Sequence, residues 1–195
     1  MNVSRETSDR LETYLDLLTK WSPKINLVSS SSLKDAGKRH FDDSLQVASL
    51  CPDSATTWCD LGSGGGFPGA VVAIALADRG LDVTLVESDQ RKAAFMRTVS
   101  RETNVPFTVI AKRIEEVKGL KADVISARAL APLVDLLDFS DHHMDQGGTS
   151  LFMKGGTWRH EIVDAQKKWR FTYEAHKSVT QPDAAILEIG GLSRV

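Results

Sequence analysis

Cysteine is nearly absent from this chain of 195 residues. The two present, Cys51 and Cys59, match no metal-ligand spacing. A disulfide framework is excluded, and a reducing compartment is expected, with both thiols serving as core residues. Long apolar runs are lacking as well. Residues 1–20 are polar and hold no apolar signal core, and no stretch is long enough to span a membrane. A cytoplasmic protein without a membrane partner is the expectation. Charge of one sign is not in excess: 24 Lys and Arg stand against 26 Asp and Glu, for a formal net charge of −2. A domain that holds free nucleic acid through its overall field is basic. Nucleic-acid contact here requires a local patch, or a substrate already held in a larger particle. The five histidines, at 40, 142, 143, 160 and 176, form no metal motif, so no metal is expected.

What is present is a globular composition, 42% hydrophobic and 26% charged, at a length that suits one domain with a full core. A monomer is the default. One stretch organises the rest, Thr57-Trp58-Cys59-Asp60-Leu61-Gly62-Ser63-Gly64-Gly65-Gly66-Phe67-Pro68-Gly69. Thr57 to Cys59 suit a buried strand, and Asp60 falls where it ends. Four of the six residues after Leu61 are glycine, which marks a tight turn or a close approach of backbone to a ligand. Pro68 pre-sets φ for a first helical position, and Ala70 to Leu76 read as the helix. Free N–H groups at such a helix start favour negative charge.

Two cofactors fit this loop. Gly64, Gly66 and Gly69 satisfy the G-x-G-x-x-G spacing of a dinucleotide site. Gly62, Gly64 and Gly66, following Asp60, satisfy the D-x-G-x-G-x-G pattern of S-adenosylmethionine (SAM) methyltransferases. In the second case Asp60 takes a hydrogen bond from the cofactor's amino acid end, directly or through water.

Around this loop the chain alternates strand and helix. Ser4 to Trp21 carries an apolar stripe, with Pro23 closing the helix. Ser29 to Ser32 is loop, with Ser32 as a cap, and Leu33 to Leu50 forms a second helical region. Strands are predicted at Val83–Glu87, Phe107–Ile110, Ala122–Ser126, Thr149–Lys154, Phe171–His176 and Ala185–Ile189. Helices are predicted at Asp89–Thr103, Pro132–Met144 and Trp158–Trp169, with a short turn over Lys112–Val117. Phe95, Met96, Trp158 and Trp169 read as core, and His142-His143 as a solvated helix end. The expected architecture is α/β and Rossmann-like: a mostly parallel seven-stranded sheet with helices on both faces. Residues 1–52 form a helical cap on a core of 53–195, within one domain.

In such sheets ligands bind beyond the carboxyl ends of the strands. That rule gathers Asp60, Gly62 to Gly66, Glu87, Lys112 to Glu115, and Ser126 to Arg128 around one crevice. Glu87 ends the second strand, where a carboxylate can accept two hydrogen bonds from ribose hydroxyls. NAD and SAM both carry that ribose, so Glu87 does not choose between them.

A resemblance to a known family narrows the reading. The residues that carry it are Trp21 with Asn26-Leu27, Arg39-His40-Phe41 with Asp43-Ser44, the segment Asp60 to Gly69, Glu87-Ser88 with Arg91-Lys92, Arg113-Ile114-Glu115-Glu116, Ile125-Ser126-Ala127-Arg128-Ala129, and Lys154-Gly155. Together they resemble the RsmG family, also called GidB, from about Leu11 to Ile189. The resemblance implies SAM-dependent methylation of one guanine at N7 in 16S ribosomal RNA, with S-adenosylhomocysteine as product. It implies that Gly62 and Phe67 contact SAM, as do Ile114, Glu115 and Arg128; the loop pattern and the strand ends add Asp60, Ser63, Gly64, Gly66 and Glu87 as cofactor-binding residues. Ile114 and Glu115 would border the adenine, and Arg128 would sit at the reaction centre as the catalytic residue. Gly65 stands where some members have Pro, and Glu87 where some have Asp.

Guanine N7 has a free lone pair and no proton, so the methyl transfer needs no general base; orientation suffices. The absence of a catalytic triad fits that demand. Ser126-Ala127-Arg128-Ala129 occupies the place where exocyclic-amine methylation uses an N-P-P-Y segment. An Arg there can grip phosphate or guanine O6, or else pair with a carboxylate such as Glu87 or Glu115. Arg39, Arg91, Lys92, Arg113 and Lys154 are the expected RNA contacts, with the substrate 16S rRNA in the 30S subunit or an assembly intermediate. Arg97, Lys112 and Arg159 read as ordinary surface charge. A nicotinamide-dependent oxidoreductase and a non-catalytic SAM- or RNA-binding module remain the competing readings.

Overall fold

The computed structural model describes residues 3–28 and 37–195, with Gly37 and Lys38 described as backbone. The serine run, the Ser32 cap and the start of the second helical region lie outside the described residues.

Helix α1 (Arg5–Ile25) begins at Ser4, whose side chain accepts the Thr7 N–H. It runs past Pro23, where a strict reading of proline would stop it. Pro23 lies in the last turn, where a missing N–H removes one bond without breaking those before it. Asn26 closes the helix in the left-handed region, at φ 51°, with its N–H on the Ser22 carbonyl. The second helical region is not one α-helix in its described part. A π-turn over Gly37–Phe41 leads into α2 (Asp42–Ser49).

The sheet strands are β1 (Thr57–Leu61), β2 (Asp82–Val86), β3 (Thr108–Ile110), β4 (Ala122–Arg128), β5 (Met144–Lys154), β6 (Trp169–Lys177) and β7 (Ala185–Arg194). Their order is β3-β2-β1-β4-β5-β7-β6. Pairing is parallel through β5, and β7 lies antiparallel between β5 and β6. The crossover helices are α3 (Gly69–Ala75), α4 (Gln90–Thr103), α5 (Leu133–His143) and α6 (Trp158–Ala165). The chain order reverses direction between β1 and β4, which opens a crevice at their carboxyl ends.

Alternation along each strand divides the core into two layers. Trp58, Val83, Leu85, Val124, Leu151 and Ile186 face one way, onto Tyr14 and Leu18 of α1, Leu45 and Val47 of α2, and the buried faces of α3 and α4. Cys59, Leu61, Ile125, Ala127, Phe152 and Leu187 face the other way, onto α5 and α6. Phe95, Met96, Trp158 and Trp169 are buried as expected, and both cysteines are free and buried.

Several boundaries differ from the sequence reading. Strand β5 starts at Met144, directly after α5, and β7 continues to Arg194. Trp169 opens β6 instead of ending a helix, because it pairs with Arg194 across the antiparallel ribbon. His143 is fully buried rather than solvated. The last turn of α5 covers the turn Ile114–Glu116, and His143 Nε2 lies 3.3 Å from the Ile114 carbonyl oxygen. Among the described residues no helix is long and apolar enough to cross a membrane.

Candidate active site

The glycine loop leaves β1 with Gly62, Gly64 and Gly66 all in the left-handed region, at φ 63°, 56° and 91°. L side chains rarely adopt that backbone, so this turn demands glycine. A Cβ on Gly66 would also collide with the Tyr14 hydroxyl. The loop is closed from within: the N–H groups of Gly66 and Phe67 reach the Ser63 carbonyl, and Ser63 Oγ donates to the Asp60 carbonyl at 3.0 Å.

Glu87 follows β2 and is buried. Its Oε2 accepts the Gly64 N–H and its Oε1 the Asp89 N–H, both at 2.8 Å. The carboxylate thus ties the glycine loop to the start of α4. Each oxygen keeps a second lone pair for a ligand hydroxyl.

Two cavities flank the loop. One, about 520 Å³, is lined by Glu87, Lys92, Arg113, Ile114, Glu115 and Leu130, among others. The other, about 380 Å³, is lined by Arg39, His40, Asp43, Phe67, Lys154 and Gln181, among others. Gly62, Gly64, Arg128 and Ala129 border both. The two spaces therefore meet at the end of β4.

Arg128 occupies that shared wall. Its guanidinium carbon stands 4.9 Å from the Phe67 ring centroid, and Nη1 lies 2.5 Å from His40 Nδ1. Among the described residues it makes no ion pair with Glu87 or Glu115. Burial lowers its pKa. Ala129, next in sequence, holds φ 49°, a strained value for a residue with a Cβ.

With this geometry in view, comparison with known proteins is decisive. The profile of the GidB family, described as rRNA small subunit methyltransferase G, matches residues 7–189. The chain belongs to this family. A GidB relative from Ruegeria pomeroyi, named ribosomal RNA small subunit methyltransferase G, is 49% identical over all of this chain and 96% of its own length. Two solved structures share the fold. A SAM-dependent methyltransferase from Aquifex aeolicus aligns with a TM-score of 0.61 at 11% identity, over 85% of this chain and 94% of its own. An O-methyltransferase from Bacillus cereus, solved with S-adenosylhomocysteine, aligns with a TM-score of 0.61 at 14% identity, over 97% and 92%. The GidB fold seen here is the Rossmann-like one read from the sequence. The oxidoreductase alternative finds no support.

Two of the residues expected to meet ligands in this GidB site are held by partners within the protein. Asp60 lies inside β1, fully buried, and lines neither cavity. Its Oδ1 accepts from Ser126 Oγ at 2.7 Å, and that hydroxyl in turn accepts from Trp58 Nε1 at 2.8 Å. Asp60 braces β1 against β4 behind the loop through Oδ1, while its Oδ2 is buried without a hydrogen-bond partner among the described residues. Burial raises its pKa to about 6, opposed by the Ser126 bond. Lys154 is also buried, although it borders the smaller cavity. Its ammonium is held by Glu161 at 2.6 Å and by the Ala131 carbonyl at 2.9 Å. Glu161 also accepts the Leu133 N–H at 2.9 Å. Lys154 therefore fixes the segment after β4, with its charge paired to Glu161 rather than left free.

The other basic residues divide by place. Lys92 and Arg113 line the larger cavity, as does Lys112, and Arg39 lines the smaller. Arg91 lines neither and pairs with Asp89 at 3.0 Å on the surface. Arg97 is tied to the Val109 carbonyl, and Arg159 stacks on Trp158. His40 and Tyr14 had no assigned role in the sequence reading. Each reaches the site from the cap, 88 residues from Arg128 and 51 from Gly65 respectively. Only the resemblance, through Arg39-His40-Phe41, drew attention to the first.

Proposed function

We propose that this chain transfers a methyl group from SAM to N7 of a guanine in 16S rRNA of the small ribosomal subunit. The observation that carries this reading is the meeting of two cavities at Gly62, Gly64, Arg128 and Ala129. SAM, when bound, supplies an electrophilic methyl on a sulfonium centre. The larger cavity suits it: Glu87 offers acceptors for ribose hydroxyls, Val86, Ile114, Leu130 and Phe139 offer apolar walls for a planar base, and Glu115 stands beside Ile114. A Cβ on Gly64 would meet nothing nearer than 3.9 Å, so the space beside the loop is open. Gly62 and Gly64 border that space, and Ser63 and Phe67 border the smaller cavity beside it.

The smaller cavity is assigned to the acceptor base. Arg128 uses one nitrogen on His40 and keeps its other donors for guanine O6 or a flanking phosphate. Guanine N7 needs no base to remove a proton, so these residues need only orient the purine and exclude water. Arg39 at the smaller cavity and Lys92 and Arg113 at the larger supply local positive charge, which suits RNA despite the net charge of −2; Arg91, paired with Asp89 on the surface beside Lys92, is a further candidate RNA contact. We further infer that cap 1–52 and core 53–195 act as one unit, since Tyr14 and Leu18 share a core layer with Trp58 and Val71. A cytoplasmic monomer acting on the 30S subunit or its precursor completes the reading.

The test is methyl transfer from labelled SAM to 30S subunits purified from cells that lack this enzyme, followed by nuclease digestion. Label in 7-methylguanosine is the expected result. SAM binding without transfer would favour another acceptor or a non-catalytic module. Absence of SAM binding would overturn the assignment of both cavities.

A further inference from the structure

Arg128 is a largely enclosed cation with an unusual companion. Its nearest polar partner is the imidazole of His40, at 2.5 Å, and its flat face rests on Phe67. Asp43 and Asp60 act on it from a distance; among the described residues neither makes an ion pair with it. A guanidinium has donors only. His40 Nδ1 must therefore present a lone pair, which places the ring's proton on Nε2. That atom is buried and has no hydrogen-bond partner among the described residues. A buried orphan donor is destabilising. The arrangement accepts that cost to hold the acceptor at Nδ1. Burial, with the charges of Arg128 and Arg39, keeps the ring neutral, its pKa lowered to about 4.

The choice of a neutral partner has a consequence for substrate. A carboxylate at position 40 would hold the guanidinium but also cancel its charge. A neutral imidazole holds it and leaves the full charge for an incoming anion.

We propose that His40 is the positioning residue for Arg128: a neutral acceptor that fixes the guanidinium at the wall between the two cavities without neutralising it. This rests on the reading of Arg128 as the residue that meets the RNA substrate. The test compares H40A, H40N, H40Q and H40D. Asn can place Oδ1 where Nδ1 stands; Gln reaches the Nε2 position instead. H40A and H40Q should lose about tenfold or more in turnover on 30S subunits, the scale of a misplaced contact, while H40N keeps most of it. SAM affinity should fall much less than turnover in all four, since Arg128 borders both cavities but His40 lines only the smaller. H40D should hold Arg128 yet fail in turnover. Wild-type turnover in H40A would overturn the proposal. So would equal losses in H40A and H40N that track a fall in melting temperature. A second measurement stands apart from activity: nitrogen NMR should find His40 in the Nε2–H tautomer at neutral pH, and R128M should release it. A wild-type protein that fails to methylate 30S would sink the functional reading, while the tautomer would still judge the His40–Arg128 arrangement. The Nδ1–H form in wild type would overturn it.

Discussion

The Tyr14 hydroxyl donates a hydrogen bond to the Gly65 carbonyl, joining the first helix to the glycine loop across 51 positions of sequence. The same ring stacks on Phe67 at 5.4 Å and 13°, and Phe67 in turn carries Arg128 on its face. Burial raises the Tyr14 pKa, so the hydroxyl stays a donor. Tyr14→Phe keeps the stacking and removes the donor alone, leaving a buried carbonyl unpaired. A stability loss of about 1–3 kcal/mol is expected by urea unfolding. Weaker SAM binding by calorimetry should accompany it, because Gly65 lies in the loop proposed to hold SAM. Unchanged SAM affinity would reduce the bond to a stability device.

That link also shows what sequence could and could not convey. The sheet was legible because strand and helix periods alternate from Thr57 onward, and the loop because three glycines recur at even spacing after an acid. Glu87 and Arg128 were legible as strand ends on the ligand side. The directions of Asp60 and Lys154 were not. Nothing local says that Asp60 turns to Ser126 on a neighbouring strand, or that Lys154 meets Glu161 on the following helix. Tyr14 and His40 arrive from a cap whose packing depends on long-range burial, which periodicity places on a helix but not against a partner.

Gly62 tests the loop. Its φ of 63° already disfavours any side chain, and an added Cβ would stand 2.5 Å from Leu130 Cδ1. Leu130 is a flexible neighbour, so the backbone conformation is the harder obstacle, worth roughly 1–3 kcal/mol. Gly62→Val should remain folded by circular dichroism and lose SAM binding in a thermal-shift titration, because Gly62 borders both cavities. Retained affinity would sink the loop's role.

Lys154 separates a structural contact from an RNA contact. Lys154→Met strips Glu161 of its cation and the Ala131 carbonyl of its donor. The Glu161 side chain keeps 21% exposure, which softens the loss to about 1–3 kcal/mol. Melting temperature and turnover should fall together. Adding Glu161→Gln should recover part of the stability, since the unpaired carboxylate is then gone. A residue that touched only phosphate would weaken 30S binding with melting unchanged and no rescue.

Asp60 and His40 predict opposed pH effects on stability. The Asp60 pKa is raised from 3.8 to about 6, so between those values the folded protein holds a proton that the unfolded chain has lost. Stability from this group therefore falls as pH rises through that window and stays lower above it, by on the order of 3 kcal/mol. The His40 pKa is lowered from 6.5 to about 4, so there the unfolded chain binds the extra proton. Its contribution falls as pH falls. The two partly cancel in the wild type. Asp60→Asn keeps an acceptor for Ser126 and removes the titration, so its unfolding free energy should rise more steeply between pH 4 and 6 than that of the wild type. Subtracting the two urea-derived curves cancels the surface acids common to both. A flat difference across that window would mean that Asp60 titrates as an ordinary carboxylate, and that its burial between β1 and β4 is relieved by solvent.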